Sequence, residues 1–328
     1  MSFGGGGSMT RKRDEGAALS GQSVGRALTR LTDLTAEVIG SVHGTVAAAI
    51  RGVLRLGRDR SVVVVGPDGT TATLRLHEAR FSGMDTIGSQ LLSGSYEPTT
   101  ARVLEALIAR GATVVDVGAN IGYFTVLSAL LTGPTGRVVA FEPEPRNHTV
   151  LTGNVAANDL RQVTVIQAAC ADRVGQHELS INSSETGWHR LAPAGETARG
   201  KRVLVDLTTV DTVIGEAPVD VIKIDVEGHE GSVVAGMLST VASNPGVTVI
   251  LEYSPAQARL AGLDPLTPVT LLREAGLRHT YVVREDKAVL ERIDPAALGS
   301  REVKTGRSIN LMLRALPWPA DTAVPVSS

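Results

Sequence analysis

Apolar and polar positions repeat with two different periods along this chain, and the change of period divides it. From Val24 to Leu56 apolar residues recur at three- and four-residue steps (Val24, Leu28, Leu31, Leu34, Val38, Val42, Val46, Ile50, Val53). That spacing predicts a one-faced helix, broken near Gly40 and Gly44. Ser61–Val65 and Thr70–Leu76 are β-branched runs on either side of Gly66-Pro67-Asp68-Gly69, which predicts a hairpin. A short helix near 87–92 follows. Thr99 or Thr100 then caps a helix that runs to Arg110 and ends at Gly111.

From residue 113 the pattern becomes regular. Apolar runs at 113–117, 137–141, 163–168, 219–225, 247–252, 280–284 and 308–314 read as strands, and the stretches 121–131, 146–157, 208–215, 229–241 and 267–275 read as helices. Near-continuous apolar strands alternating with helices imply a mostly parallel sheet covered on both faces. No long helix separates the last two strands, so they are expected to pair antiparallel. His177–Ile181 and Arg202–Leu207 read as added strands around a polar loop, 183–201.

Composition narrows the classes of function. The 328 residues are 43% hydrophobic and 20% charged, which is a globular balance. A net charge of −2 gives no general pull toward nucleic acid or an anionic membrane. With 3% aromatics a base-stacking surface is not expected. The single cysteine, Cys170, excludes an intramolecular disulfide and a cysteine-based zinc site, and fits a reducing, cytoplasmic setting. No transmembrane run or signal peptide is read. Residues 1–8, MSFGGGGS, read as an expression scar before a start at Met9, and 9–22 as a disordered lead. The expected organisation is an extension over 23–100, a catalytic domain over 101–316 and a tail over 317–328. The 24–56 helix packs on its own domain or on a second copy as a homodimer; its Arg26, Arg30, Arg51 and Arg55 leave open a membrane or partner contact.

The candidate chemistry centres on 113–122, TVVDVGANIG: a strand, a glycine turn and a helix N-terminus, a cradle for a small molecule. A nicotinamide dinucleotide site would show G-x-G-x-x-G, whereas this turn is Gly118-Ala119-Asn120-Ile121-Gly122. Two acids sharpen the reading. Asp116 stands before the turn, where it suits a cationic group such as an α-ammonium. Glu142 stands at the tip of the next strand, where an acid can accept both ribose hydroxyls. Together they describe an S-adenosylmethionine site better than a pyrophosphate site.

The segments DVGANIGYFTVLSA, GRVVAFEPEPRNHTVLTGNVAAN, VIKIDVEGHEGSVVAGM and VILEY resemble the FkbM family of S-adenosylmethionine-dependent methyltransferases, as do Tyr96-Glu97-Pro98 and Asn310-Leu311-Met312-Leu313. The likeness covers about 90–255 and a short late stretch, not 9–80. It implies a Rossmann-like class I methyltransferase fold, a seven-stranded mostly parallel sheet with the last strand antiparallel, here with an N-terminal helix and β-hairpin extension. It also implies methyl transfer to a hydroxyl, commonly of a sugar or natural-product scaffold. Carried over by position, Asp116, Gly118, Ala119, Asn120 and Gly122 line the methionine and ribose end. Glu142 holds the ribose diol and Pro143 lies beside adenine. Ala169, Cys170 and Asp172 take the adenine-contact positions, and Asn154 and Tyr96 pack on the cofactor side.

The strand at 219–224 ends in Asp225-Val226-Glu227-Gly228-His229-Glu230, at the carboxyl edge that faces the crevice in such sheets. An alcohol needs a proton acceptor to become a good nucleophile. His229 is the first candidate base, because imidazole titrates near neutrality; a capping or solvent-facing histidine is the plainer reading. Asp225 or Glu227 could orient it or replace it. His229-Glu230 lacks the second histidine of the H-E-x-x-H zinc pattern. Asp225, Glu227 and Glu252 could hold Mg2+, which is not the favoured reading. Trp188, His189 and Arg190 in the 183–201 loop are the candidate acceptor contacts. The alternative to an enzyme is a non-catalytic S-adenosylmethionine-binding or scaffold module.

Overall fold

The computed structural model describes residues 53–56, 59–76, 86–181, 190–191, 201–298, 308–319 and 324–327. The elements run β1 (Val53–Leu56), β2 (Asp59–Val65), β3 (Thr71–Leu76), α1 (Thr86–Ser93), α2 (Pro98–Leu107), β4 (Thr113–Val117), α3 (Tyr123–Thr132), β5 (Arg137–Phe141) and α4 (Pro145–Ala157). Next come β6 (Val163–Ile166), β7 (Ala169–Cys170), β8 (Gly175–Ile181), β9 (Arg190–Leu191), β10 (Lys201–Thr208), α5 (Val210–Ile214) and β11 (Val221–Ile224). The rest are α6 (Glu230–Ala235), α7 (Leu238–Ser243), β12 (Thr248–Tyr253), α8 (Pro255–Leu260), α9 (Thr267–Glu274), β13 (His279–Arg284), β14 (Val289–Arg292), β15 (Ile309–Arg314) and β16 (Val326–Ser327).

The central sheet has the order β16-β14-β13-β15-β12-β11-β4-β5-β6. β6, β5, β4, β11 and β12 are parallel neighbours. The late strand β15 runs antiparallel between β12 and β13. This is the strand order expected of the fold that the resemblance implies. The sheet has two strands more than the expected seven, because β14 folds back on β13 and β16 joins β14. Chain order climbs outward from β4 through β5 to β6, then returns to β11 on the other side of β4. A crevice opens where strand order reverses, at the carboxyl ends of β4 and β11. Successive strand residues serve opposite faces: Val114 belongs to one apolar cluster with α3 residues, and Val115 and Val117 to another with Val233 and Met237.

Several elements depart from the sequence pattern. Val53–Leu56, expected to end a helix, pairs antiparallel with β2, so the sheet ladder overrides the helical spacing there; residues 24–52 lie outside the described residues. Neither Thr99 nor Thr100 caps α2. Glu97 holds the N-cap position at φ 41°, and the helix's first amides, Thr99 and Thr100 N–H, donate to the Glu285 carboxylate at 2.6 and 2.9 Å. A carboxylate at that end also meets the positive pole of the helix. The helix expected over 229–241 is two short helices. At Gly236 a Cβ would overlap the Ala171 carbonyl oxygen, so the break brings backbone against backbone. The short helix α8 also lacks a clear periodic signal.

β8, β9 and β10 form, with β7, a second sheet of order β7-β10-β8-β9. The hairpin strands β1, β2 and β3 make a third. Its edge strand β3 is closed by two asparagines. Asn154 Oδ1 accepts from Arg75 N–H at 2.8 Å, and its amide donates to the Arg75 and Ile121 carbonyls. Asn158 repeats the pairing at Thr73, accepting at 2.7 Å and donating at 2.9 Å. Four helical residues rise about 6 Å and two strand residues about 6.8 Å, so the amides match every second edge position.

Asn154→Ala removes a buried amide that pairs with the backbone of Arg75 and Ile121. It should cost about 2–4 kcal/mol in urea unfolding. Asn158→Ala, at the more exposed rung, should cost about 1 kcal/mol or less. Equal costs would show that the two rungs do not differ as their burial says.

Candidate functional site

A cavity of about 260 Å³ lies at the carboxyl ends of β4, β5, β6, β11 and β12. Tyr96 and Glu97 ahead of α2, and Leu179 and Leu191 from the second sheet, complete its walls. Its floor is the glycine turn after β4. Gly118 sits at φ 82°, and a Cβ there would overlap the Asp225 carbonyl oxygen. Only glycine lets the β4 turn and the β11 loop touch. Gly122, at φ 97°, serves packing instead: a Cβ there would press on Leu151 of α4.

The turn's amides are already engaged. Gly118 and Ala119 N–H both donate to the Phe141 carbonyl, and Gly122 N–H to the Ala119 carbonyl. Asn120 N–H donates to Glu142 Oε2 at 2.8 Å. The amides at these four positions are thus used within the protein. The cradle presents carboxylates instead. Asp116 is 1% exposed; Thr125 Oγ1 donates to its Oδ2 at 2.6 Å, while its buried Oδ1 has no hydrogen-bond partner. Glu142 Oε1 accepts from Glu144 N–H at 2.8 Å. Burial pushes the Glu142 carboxyl up to about 8, against the opposing pull of those two amides. Burial also raises Asp116, opposed chiefly by the nearby Lys223 ammonium.

The other end of the cavity gathers Tyr96, Glu97, Lys223, Asp225, Glu227, His229 and Glu252. Lys223, in the middle of β11, is 3% exposed; its Nζ lies 3.2 Å from Asp225 Oδ2 and 4.5 Å above the centre of the Phe124 ring. Burial alone would lower its pKa, but Asp225, Glu97 and Asp116 outweigh burial and raise it, so it stays an ammonium. Glu97 Oε2 accepts from Asn310 Nδ2 at 2.7 Å, and burial lifts its carboxyl to about 7. Oxygens of Asp225, Glu227 and Glu252 lie within 4.8 Å of one another, a spacing that could hold one divalent cation. Burial first, then the neighbouring Asp225, raise Glu252 well above the carboxylate range. His229 stands at the N-cap of α6 without a side-chain cap bond, and its Nε2 lies 3.1 Å from the Leu191 carbonyl oxygen. With Nε2–H donating to that carbonyl, Nδ1 carries the lone pair.

Tyr96, Asp116, Gly118, Ala119, Asn120, Glu142, Pro143, Ala169, Cys170, Asp225, Glu227, His229 and Glu252 all line this one cavity. Gly122, Asn154 and Asp172 do not. Gly122 packs on Leu151, Asn154 braces the hairpin against the Ile121 carbonyl, and Asp172 lines a separate cleft beside α8 and α9. Trp188 and His189 lie outside the described residues, and Arg190 is described only as backbone in β9. Sequence reasoning passed over Lys223, Glu97, Asn147 and Phe124. Lys223 carried a usable signal, since a lysine between the isoleucines of a buried strand must be paired.

A family model described as "Methyltransferase FkbM domain" matches residues 116–276. Hexuronic acid methyltransferase AglP of Haloferax volcanii is 31% identical over 168 residues, 49% of this chain and 62% of that protein. Methyltransferase sdnD of Sordaria araneosa is 30% identical over 155 residues, 38% of this chain and 60% of that protein. The chain thus spans less than two thirds of either relative. A solved structure of methyltransferase FkbM from Methylobacillus flagellatus KT is similar at 16% identity and a TM-score of 0.40, over 62% of this chain and 44% of that one.

Glu142 gives the protein a pH signature. Its native pKa of about 8 stands above the ordinary 4.5, so between those values the native state holds a proton that the unfolded chain has released. Stability should therefore fall as pH rises through that window. The urea midpoint should drop from about pH 5 to about pH 8, and drop less in Glu142→Gln. An identical drop in the variant would remove Glu142 as the source.

Proposed function

We propose, for a chain that belongs to the FkbM methyltransferases through its domain at 116–276, that it is an O-methyltransferase acting on a hydroxyl of a sugar or natural-product acceptor. The observation that carries the cofactor reading is the carboxylate cradle. Four of the turn's amides donate within the protein, and Asp116 and Glu142 line the cavity with carboxyl groups. That chemistry fits the α-ammonium of S-adenosylmethionine and disfavours a pyrophosphate. The relative named for hexuronic acid supports a sugar acceptor.

In this reading Asp116 holds the α-ammonium and Glu142 the ribose hydroxyls. Pro143, Ala169 and Cys170 border adenine, with Gly118, Ala119 and Asn120 beneath. When bound, S-adenosylmethionine supplies a methyl group whose bond to sulfur breaks with the electron pair staying on sulfur as the acceptor oxygen bonds to carbon. The protein's part is geometry and proton transfer. Asp225, fixed by Lys223, accepts a hydrogen bond from the acceptor hydroxyl. His229 Nδ1, Glu227 or Asp225 itself takes the proton. The aromatic trio Tyr96, Tyr123 and Phe124, with ring centres 4.9 to 5.9 Å apart, shields this end from water.

Calorimetric titration with S-adenosylhomocysteine, with and without Mg2+, tests the cofactor half. Tight binding is expected, and Glu142→Ala should weaken it by about 100-fold, the loss of two hydrogen bonds to the ribose hydroxyls. No binding by the unaltered protein under either condition would overturn the methyltransferase reading. Asp225→Asn should leave S-adenosylhomocysteine affinity within about twofold while lowering kcat by about 10²–10⁴-fold. Full turnover in that variant would remove Asp225 from the chemistry.

A further inference from the structure

The helix α2 starts at a residue ill suited to start it. Glu97 holds the N-cap position at φ 41°, a backbone region that residues other than glycine seldom adopt, and its side chain makes no cap bond. Glu285 receives the helix's first amides in its place. Glu97 instead lines the cavity, where its Oε2 accepts from Asn310 Nδ2 at 2.7 Å. The same amide donates at 3.0 Å to Thr100 Oγ1, whose own hydrogen goes to Glu285 Oε1 at 2.8 Å. Both neighbours therefore ask Asn310 for a donor, which fixes the orientation of its amide. Strain of this kind persists where the surrounding structure over-determines it, and it gathers at ligand sites.

The sheet register says which end of the cavity Glu97 serves. Asp116 of β4 stands beside Lys223 of β11, Lys223 beside Ile250 of β12, and Glu252, two residues on, beside Asn310 of β15. Asp116, Lys223, Glu252 and Asn310 thus share one face, one residue on each of four neighbouring strands, and it is the face whose apolar residues pack with α2. Glu142, after β5, lies beyond the Asp116 end of this row, and Asn310 closes the opposite end. Glu97, tied to Asn310, is held away from the two carboxyls read as gripping the cofactor. We propose that Glu97 binds the acceptor, taking a hydrogen bond from a hydroxyl or amine other than the one methylated, and that Asn310 is the positioning residue that aims it. The proposal rests on the methyltransferase reading and adds to it a second anchor, so that the acceptor is held at two points and its reacting oxygen is oriented.

The test uses Glu97→Gly, since glycine suits the backbone at φ 41°, and Asn310→Ala. Both should bind S-adenosylhomocysteine within about twofold of the unaltered protein, which also shows that they fold. A loss of about tenfold or more in Glu97→Gly alone would put Glu97 on the cofactor, overturning this proposal and leaving the methyltransferase reading standing. Radiolabelled S-adenosylmethionine and a mixed pool of glycosides, amino sugars and uronic acids then identify a working acceptor. No label, with S-adenosylhomocysteine bound, overturns the hydroxyl-transfer reading and this one together. With that acceptor, Glu97→Gly should raise KM about tenfold and leave kcat within about threefold, because a contact remote from the reacting atoms holds ground and transition states alike. Asn310→Ala should raise KM in the same way, and should add nothing to Glu97→Gly in the double variant. One monodeoxy analogue of the acceptor should lose about tenfold in kcat/KM with the unaltered protein and nothing with Glu97→Gly. Independent losses in the double variant, or no analogue that behaves so, would overturn the proposal.

Discussion

Everything at the mouth of the cavity depends on one close approach, the backbone of Gly118 against the carbonyl of Asp225. β4 and β11 are hydrogen-bonded neighbours, and their carboxyl ends emerge side by side where strand order reverses. At that point one strand enters the glycine turn and the other a loop that carries acids. Any side chain at Gly118 would wedge the two apart. Groups at the two ends of the cavity therefore share a wall, and residues from either end sense the same Lys223 ammonium.

That ammonium resolves a conflict between burial and charge. Carboxyls from α2's N-terminus, β4 and β12 converge in a buried space, and burial drives them toward their neutral forms. A buried cation among them holds Asp225 in place and tempers Glu97 and Asp116. The lysine itself survives in β11 because its partners over-compensate for lost hydration. Fixed charge of this kind does not reorganise when a ligand arrives, which is what a preorganised site requires.

Much of this was legible in the residues and some was not, for identifiable reasons. The alternation of apolar strands with helices revealed the layered sheet, the acids flanking the glycine turn revealed one end of the cavity, and the Asp225–Glu230 run revealed the other. Each of these signals is local. Lys223 was readable too, as a charge inside an apolar strand. By contrast the cap of α2 comes from Glu285, 186 residues away in sequence, and no local pattern announces it. Asn154 looked like a cofactor-side residue because it belongs to a motif-bearing helix; its amide instead grips β3 and the glycine turn's Ile121 carbonyl, a partnership set by how the hairpin docks. Val53–Leu56 has the spacing of a helix and the neighbour of a strand, and the neighbour decides.

The asparagine pair on α4 has a consequence for association between molecules. A sheet edge whose amides and carbonyls point outward is a template for another chain, and proteins usually blunt such edges with charge, proline or a bulge. Here a helix does so by presenting side-chain amides in strand register, so that at Thr73 and Arg75 the β3 edge is already paired. The hairpin can thus stay flat and regular without recruiting a neighbour's strand, and its solubility is guarded by two residues that lie far from it in sequence.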